Sequence, residues 1–181
     1  MKRLPLIIGA IFALTIAVVI ITTIKLEHKE APRGEFKTMV GAAFVGSFEC
    51  KKCHERKFLE WTTTLHSKMM QDAKANPMAI IGDFNSSSEV RTFKKEEVDF
   101  TLGNQWKQQY LKKAGDDYVV LPAQYNISSG QWVSHQAEDG QDQSWFKECA
   151  GCHATGVDPE KKTFKEPGIG CEACHGPGSN H

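Results

Sequence analysis

Six cysteines in this chain of 181 residues fall into three identical patterns. In each pattern two residues separate a pair of cysteines, and a histidine directly follows the second cysteine. The cysteines are Cys50, Cys53, Cys149, Cys152, Cys171 and Cys174, and the histidines are His54, His153 and His175. In a C-x-x-C-H sequence the two thiols form thioethers to the vinyl groups of a haem, and the adjacent imidazole ligates the iron. The patterns therefore predict three covalently bound haem c groups, with these histidines as the proximal ligands of the irons.

Two other interpretations of the cysteine pairs explain less of the sequence. The 18 residues between Cys152 and Cys171 fit a zinc site of the form C-x₂-C-x₁₈-C-x₂-C. That interpretation leaves Cys50 and Cys53 without partners and gives the three following histidines no role. Disulfides or thioredoxin-like redox pairs also leave the histidines unexplained. The haem interpretation is preferred because it accounts for every cysteine and for the histidine after each pair.

The remaining histidines are candidates for the sixth ligand of each iron. They are His28, His66, His135 and His181. His28 stands in a charged stretch and is expected to face solvent. His66, His135 and His181 equal the predicted haems in number and are the candidate distal ligands. Methionine is the alternative axial ligand and would raise the reduction potential; the candidates are Met39, Met69, Met70 and Met78.

The first motif is predicted to lie on a long helix. Ser47 has the side chain of a helix N-cap, and the helix is expected to run to about residue 74, shortly before Pro77. The apolar side chains at helical spacing within it are Phe58, Trp61, Leu65 and Met69. An unbroken helix would separate His54 and His66 by about 18 Å along its axis. His66 is therefore predicted to complete a haem other than the one beside His54.

The rest of the haem domain shows weaker patterns. Residues 98–102 alternate between apolar and polar, which predicts a half-buried strand, and residues 109–111 and 118–121 are expected to pair as a small hairpin. From residue 128 onwards Gly, Pro, Asp and Gln interrupt every pattern, so loops and short helices are expected. The predicted fold class is mainly α, with a small β element and much irregular loop organised around covalent haems. Such a domain should depend on its cofactors for stability.

The N-terminal region predicts a membrane anchor. Residues 4–24 carry no charge, and at about 1.5 Å per residue they span roughly 30 Å, the thickness of a bilayer core. The run ends without a small-x-small cleavage site or a lipidation cysteine, so an uncleaved single-pass helix is favoured over a long cleaved signal peptide. Residues 1–24 are thus predicted to form a transmembrane helix, 25–46 an exported tether and 47–181 the trihaem domain. Haem c attachment in bacteria places that domain on the periplasmic or outer side of the cytoplasmic membrane.

The balanced charge of the chain gives no indication of nucleic-acid binding. The chain has 22 basic and 22 acidic residues, whereas a nucleic-acid-binding domain usually carries a basic stripe. Four basic residues cluster near the first motif, where they form either a solvated helix face or a surface for an acidic partner. They are Lys51, Lys52, Arg56 and Lys57. No nucleic-acid partner is predicted.

The haem motifs lie within longer stretches of recognisable sequence. These stretches are FVGSFECKKCH at 44–54, Trp61 with His66, GNQWKQQY at 103–110, LPAQY at 121–125, WVSH at 132–135, CAGCHATG at 149–156 and GCEACHGPGSNH at 170–181. Together they resemble the cytochrome c-554 type multihaem domain over residues 41–181. The resemblance implies closely stacked haems with two histidine ligands each, and it implies that His181 closes a ligand motif. The name-giving members carry four haems, whereas this chain has three C-x-x-C-H motifs.

These observations predict one-electron transfer by three haems, with the anchor holding the domain near membrane donors. The expected partners are redox proteins, including a membrane quinol-oxidising complex or another multihaem cytochrome. Two alternatives remain at this point. One is a small multihaem reductase or oxidase of a nitrogen or sulfur compound, which would need one haem with an open position. The other is a quinol-oxidising cytochrome subunit, which the anchor would also permit.

Overall fold

The computed structural model describes residues 15, 16, 40–135 and 144–181. The chain divides into the units Met1–Lys37 and Thr38–His181, and every helix and strand named below belongs to the second unit. Within the described residues no helix has both the length and the apolar character needed to cross a membrane. The uncharged run at 4–24 lies outside the described residues, apart from Thr15 and Ile16, and so does most of the predicted tether.

The largest element is a six-stranded antiparallel sheet. Its strands are β1 Met70–Asp72, β2 Phe100–Leu102, β3 Lys107–Ala114, β4 Asp117–Val120, β5 Ala123–Asn126 and β6 Gln131–Ser134. The order is β1-β2-β3-β5-β6, and β4 also pairs with β3. The strands β7 Ala154–Thr155 and β8 Glu166–Pro167 form a separate antiparallel pair.

Within residues 40–135 and 144–181, the α-helices carry the three haem motifs. They are α1 Ser47–Thr62, α2 Trp145–Glu148, α3 Ala150–His153 and α4 Cys171–His175. Two short 3-10 turns, Pro77–Ala79 and Lys95–Glu97, connect parts of the sheet. The predicted short helices after residue 128 are therefore present, as α2, α3 and α4.

The sheet is buried on both faces. Tyr110 and Leu111 are consecutive residues of β3, and both are fully buried. Since side chains alternate along a strand, they point to opposite faces. Leu111 belongs to one apolar cluster, formed with Met70, Phe100, Leu102, Trp145, Phe146, Ala150 and Ala154. Tyr110 belongs to the other, formed with Ala73, Phe93, Val98, Leu121 and Ala123. We call these the helix-side cluster and the far-side cluster, because only the first includes residues of α2 and α3.

The prediction of a mainly α fold with a small β element is wrong, because the sheet is the largest element of the described structure. On β3 a buried polar side chain interrupts the apolar pattern. Gln108 on β3 is fully buried. Its amide nitrogen donates to the carbonyls of Ala79 (2.9 Å) and Gly103 (3.0 Å), and its amide oxygen accepts from the Ile81 N–H (2.8 Å). These bonds compensate for its burial, so a glutamine occupies a core position.

Two smaller β predictions are confirmed. The predicted hairpin corresponds to β3 and β4, which pair Leu111 with Val120 and turn at Gly115 with φ 64°. The predicted strand at 98–102 is present at its last three residues as β2, although all three are buried and a half-buried strand was predicted. The hairpin of β5 and β6 was not expected, since loops were predicted from residue 128.

The predicted helix from Ser47 to about residue 74 is too long. It ends at Thr62, and its backbone is already non-helical at His54 (φ −115°, ψ 42°). The hydroxyls of Thr62, Thr63 and Thr64 each donate to a carbonyl three residues earlier, at 2.7 Å. These β-branched residues are poor helix formers, and their hydroxyls compete for the carbonyls of the last turn. The axial distance from His54 to His66 therefore does not follow from helix geometry.

Candidate haem-binding site

The first motif lies on α1 and is open towards solvent. Cys50 is half-buried, whereas Cys53 and His54 are exposed. Burial raises the pKa of the Cys50 thiol, and so do the neighbouring Cys171 thiol and the Glu172 carboxylate. These two neighbours belong to the third motif, so the first and third motifs are in direct contact.

The second motif spans the junction of α2 and α3. Cys149 is half-buried and packs against the helix-side cluster. Burial is the main cause that raises the pKa of its thiol, followed by the nearby Glu148. His153 is half-buried, and burial lowers its pKa, although the Met69 backbone partly opposes that shift. Cys152, by contrast, is exposed.

The third motif forms the whole of α4. Cys171 is half-buried, and Cys174 and His175 are exposed. The first cysteine of every motif is thus half-buried and the second exposed, and all six thiols are free. Each motif presents two thiols and an imidazole at an accessible surface, which fits the covalent attachment of a haem.

Two carboxylates join the first motif to the third. The buried Glu172 accepts hydrogen bonds from the backbone N–H groups of Val45 and Gly46, just before α1. Glu166 accepts from the Ser47 N–H and hydroxyl. The Ser47 hydroxyl oxygen in turn accepts from the Cys171 N–H at 3.0 Å. Ser47 is not the predicted N-cap, because Gly46 occupies that position and Ser47 is the first residue of the helix.

A threonine joins the second motif to the third. Thr155 follows His153 by two residues and is buried. Its hydroxyl donates to the Gly168 carbonyl and accepts from the Gly170 N–H, both at 2.8 Å. The third motif begins at Cys171, so this hydroxyl joins the second motif to the segment before the third, as does the hydrogen bond from the Gly168 N–H to the His153 carbonyl at 3.0 Å.

The segment after α1 also contacts the loop that precedes the third motif. The Trp61 indole N–H donates to the Ile169 carbonyl at 2.8 Å, and the Ile169 N–H donates to the His66 carbonyl at 3.0 Å. The side chain of His66 is exposed. The backbone around this candidate ligand is therefore held beside the third motif.

His181 lies beside His54. Their ring centroids are 5.9 Å apart, and their planes differ by 26°. Two imidazoles on opposite faces of one iron have ligating nitrogens about 4 Å apart, and each ring centre lies roughly 1 Å further out, so about 6 Å is expected. A separation of this size would allow the two imidazoles to hold one iron between them.

Hydrogen bonds between the two ends of the domain bring His181 to this position. The Ala43 N–H donates to the Ser179 hydroxyl at 2.8 Å, and the Ser179 N–H donates to the Ala43 carbonyl at 3.2 Å. The last residues of the predicted tether, 43–46, are thereby held against the segment that follows the third motif.

His135 lies on the same side of the sheet as the second motif. It follows β6 and is half-buried, and its ring nitrogens lie 3.1 and 3.3 Å from the side-chain amide nitrogen of Gln109. Gln109 shares a face of β3 with Leu111 of the helix-side cluster. His135 thus occupies the side to which α2 and α3 belong, and its pKa is lowered by burial and then by Lys107.

Among the described residues, the candidate methionine ligands show no ring or side-chain hydrogen-bond contact like those of His181 and His135. Met70 is a buried member of the helix-side cluster, and Met78 is 88% exposed. Met69 is half-buried, and its backbone is the group near His153. His28 and Met39 lie outside the described residues.

The alternative zinc interpretation is not supported. Across residues 40–135 and 144–181, no three or more His, Cys, Asp or Glu side chains are grouped so that they could hold a metal ion directly. The pairs Cys149/Cys152 and Cys171/Cys174 therefore do not meet as a four-cysteine zinc site would require.

Sequence reasoning missed the residues that connect the motifs. They are Thr155, Glu166, Glu172 and Ser47, which was predicted only as a helix N-cap. The sequence offered one signal, a glutamate at an internal position of the third motif, where the first motif has two lysines and the second has Ala-Gly.

One curated relative is similar in sequence. Cytochrome c-554 of Nitrosomonas europaea is 28% identical over 145 residues, which cover 77% of this chain and 40% of the relative. The chain thus spans less than half the length of that protein.

Two solved structures resemble the fold. The outer cell wall cytochrome OcwA matches with a TM-score of 0.66 and 32% identity, covering 76% of this chain and 32% of the other. An undecaheme cytochrome from the S-layer of Carboxydothermus ferrireducens matches with a TM-score of 0.56 and 24% identity, covering 88% of this chain and 24% of the other. The second likeness concerns the fold alone.

A family model covers most of the haem domain. The model described as cytochrome c554 and c-prime matches residues 49–99 and 101–176, which is more than half of the chain and includes all three C-x-x-C-H motifs. The chain therefore belongs to the cytochrome c554 and c-prime family and is a multihaem c-type cytochrome.

Proposed function

We propose that the chain is a trihaem electron carrier, anchored in a bacterial cytoplasmic membrane with its haem domain on the outer side. The main support is the set of contacts that joins three C-x-x-C-H motifs through the third one, by way of Ser47, Glu172 and Thr155. When bound, haem iron supplies one-electron chemistry. The residues of the chain attach the haems, ligate their irons and set their spacing.

The proposed ligand set uses two histidines for each iron. His54 and His181 are assigned to the haem at the first motif, because the distance between their rings fits that role. His66 and His135 are then available for the irons ligated by His153 and His175. His66 is therefore still proposed to complete a haem other than the one at the first motif. The reason is now the pairing of His54 with His181, because the helix ends before His66.

A carrier is favoured over an enzyme because the candidate distal ligands equal the motifs in number. Coulometric titration of the full chain should take up three electrons, and the oxidised protein should be low-spin throughout. A high-spin ferric signal in the wild-type protein would instead favour a reductase or oxidase with an open iron position.

The anchor is proposed from the uncharged residues 4–24. The full chain should stay in membranes washed with alkaline carbonate and should retain Met1 or Lys2 at its N-terminus. A soluble form that begins near residues 25–35 would show that the run is a cleaved signal peptide. A membrane quinol-oxidising complex or another multihaem cytochrome is the proposed redox partner.

A further inference from the structure

Glu172 is an unusual residue for the interior of a protein. It lies between Cys171 and Cys174 in the third motif, and only 3% of it is exposed. Glutamate is almost never buried to this extent unless it is paired. In the described residues, 40–135 and 144–181, no lysine, arginine or histidine forms an ion pair with it.

Backbone N–H groups take the place of a cation. Oε1 accepts from the N–H of Val45 at 2.9 Å and of Gly178 at 2.7 Å. Oε2 accepts from the N–H of Gly46 at 2.6 Å and of Val45 at 3.0 Å. Every partner is a donor, which matches the acceptor-only character of an ionised carboxylate.

Glu166 binds the next backbone N–H group along the chain, that of Ser47. Its carboxylate is half-buried and accepts from the Ser47 N–H at 3.0 Å and the Ser47 hydroxyl at 2.7 Å. The two carboxylates together bind the backbone of Val45, Gly46 and Ser47, directly before the first motif. The N-terminal end of a helix carries partial positive charge, which also favours anions here.

The position of the two charges has a consequence for the haems. A negative charge near a redox iron stabilises the oxidised state relative to the reduced state, and burial strengthens this interaction because water screens it less. Net charge and burial are among the factors that set haem potentials. Glu172 is part of the third motif and lies close enough to Cys50 to raise the pKa of its thiol.

We propose that Glu172 and Glu166 are positioning residues that hold the first motif against the third and lower the reduction potentials of the haems at these two motifs. The inference depends on the proposed function, because it requires haems attached at Cys50/Cys53 and Cys171/Cys174. Neither carboxylate forms a hydrogen bond with residues 149–153 of the second motif, so the haem at that motif supplies the internal reference.

The test compares Glu172→Gln with Glu148→Gln in the full, haem-loaded chain. Both changes replace a carboxylate in or next to a haem motif with a neutral side chain of similar size, but Glu148 is exposed and its charge is screened by water. Haem content is measured first, and the potentials are then measured by spectroelectrochemical titration. We expect Glu172→Gln to raise the potentials of the haems at the first and third motifs. Glu148→Gln, whose carboxylate lies beside Cys149, should leave those two potentials unchanged and raise only that of the haem at the second motif, by less.

Two further variants separate charge from structure. Glu172→Asp keeps the charge and should restore the low potentials at least in part. Glu166→Gln changes a half-buried residue and should raise the same two potentials, which keeps the test available if Glu172→Gln does not fold. A folded three-haem variant of either glutamate with wild-type potentials would overturn the proposal. Fewer than three haems in the wild-type protein would instead contradict the proposed function.

Discussion

The imidazole rings of His54 and His181 lie 5.9 Å apart and nearly parallel, although the two residues are far apart in the sequence of the haem domain. The hydrogen bonds between Ala43 and Ser179 bring the segment before α1 beside the segment after α4. The position of His181 therefore depends on contacts outside the three C-x-x-C-H motifs.

His181→Ala should retain three covalent haems, because it changes no cysteine, but one iron should lose a ligand. We expect one low-spin haem to become high-spin or water-ligated in ferric electron paramagnetic resonance, and added imidazole to restore the low-spin signal. His28→Ala is the control, since His28 is not proposed as a ligand. An unchanged low-spin spectrum of His181→Ala would exclude His181 as a ligand.

His66→Ala should affect a different iron from His181→Ala. Each single variant should convert one haem, and the double variant should convert two, because His54 and His181 are assigned to the same iron. The high-spin signal is quantified per chain. A double variant with only one high-spin haem would contradict the assignment of the two histidines to separate irons.

Thr155→Val should destabilise the protein, because its hydroxyl makes two hydrogen bonds between the second and third motifs. Leaving the Gly170 N–H and the Gly168 carbonyl unpaired should cost about 1–3 kcal/mol for each group in the free energy of unfolding. The matched control is Thr101→Val, since Thr101 is also fully buried but its hydroxyl has no hydrogen-bond partner. Denaturant unfolding of both haem-loaded variants measures the difference, and equal losses would show that the Thr155 bonds contribute nothing.

Gly170→Ala should also destabilise the domain. A Cβ at residue 170 would clash with the carboxylate of Glu166 and lie 2.7 Å from the Ser47 hydroxyl oxygen. Overpacking of this kind typically costs about 1–3 kcal/mol. Gly151→Ala in the second motif is the control, because its added Cβ meets nothing within 4 Å. A thermal melt that shows similar midpoints for the two variants would contradict the close contact at Gly170.

The sequence predicted the chemistry of the site better than its architecture. Each C-x-x-C-H motif is local, so its haem-binding role is visible without the fold. The sheet was underestimated in part because Gln108 occupies a buried strand position where an apolar residue is expected. The contacts of Glu172 with Val45 and Gly46 join distant parts of the chain, and no local pattern indicates them.

The length of α1 was overestimated because polar side chains end the helix within an apolar pattern that continues. The apolar spacing of Phe58, Trp61 and Leu65 continues past Thr62, but three successive threonines bind the preceding carbonyls with their hydroxyls and end the helix. Side-chain competition for backbone groups outweighed the apolar periodicity.

The number of covalently attached haems tests the central claim most directly. Intact mass of the denatured full chain, made in a host competent for haem c attachment, should equal the polypeptide plus three haems, and the pyridine haemochrome assay should give the same count. Fewer than three haems per chain, or bound zinc in place of haem, would contradict the account.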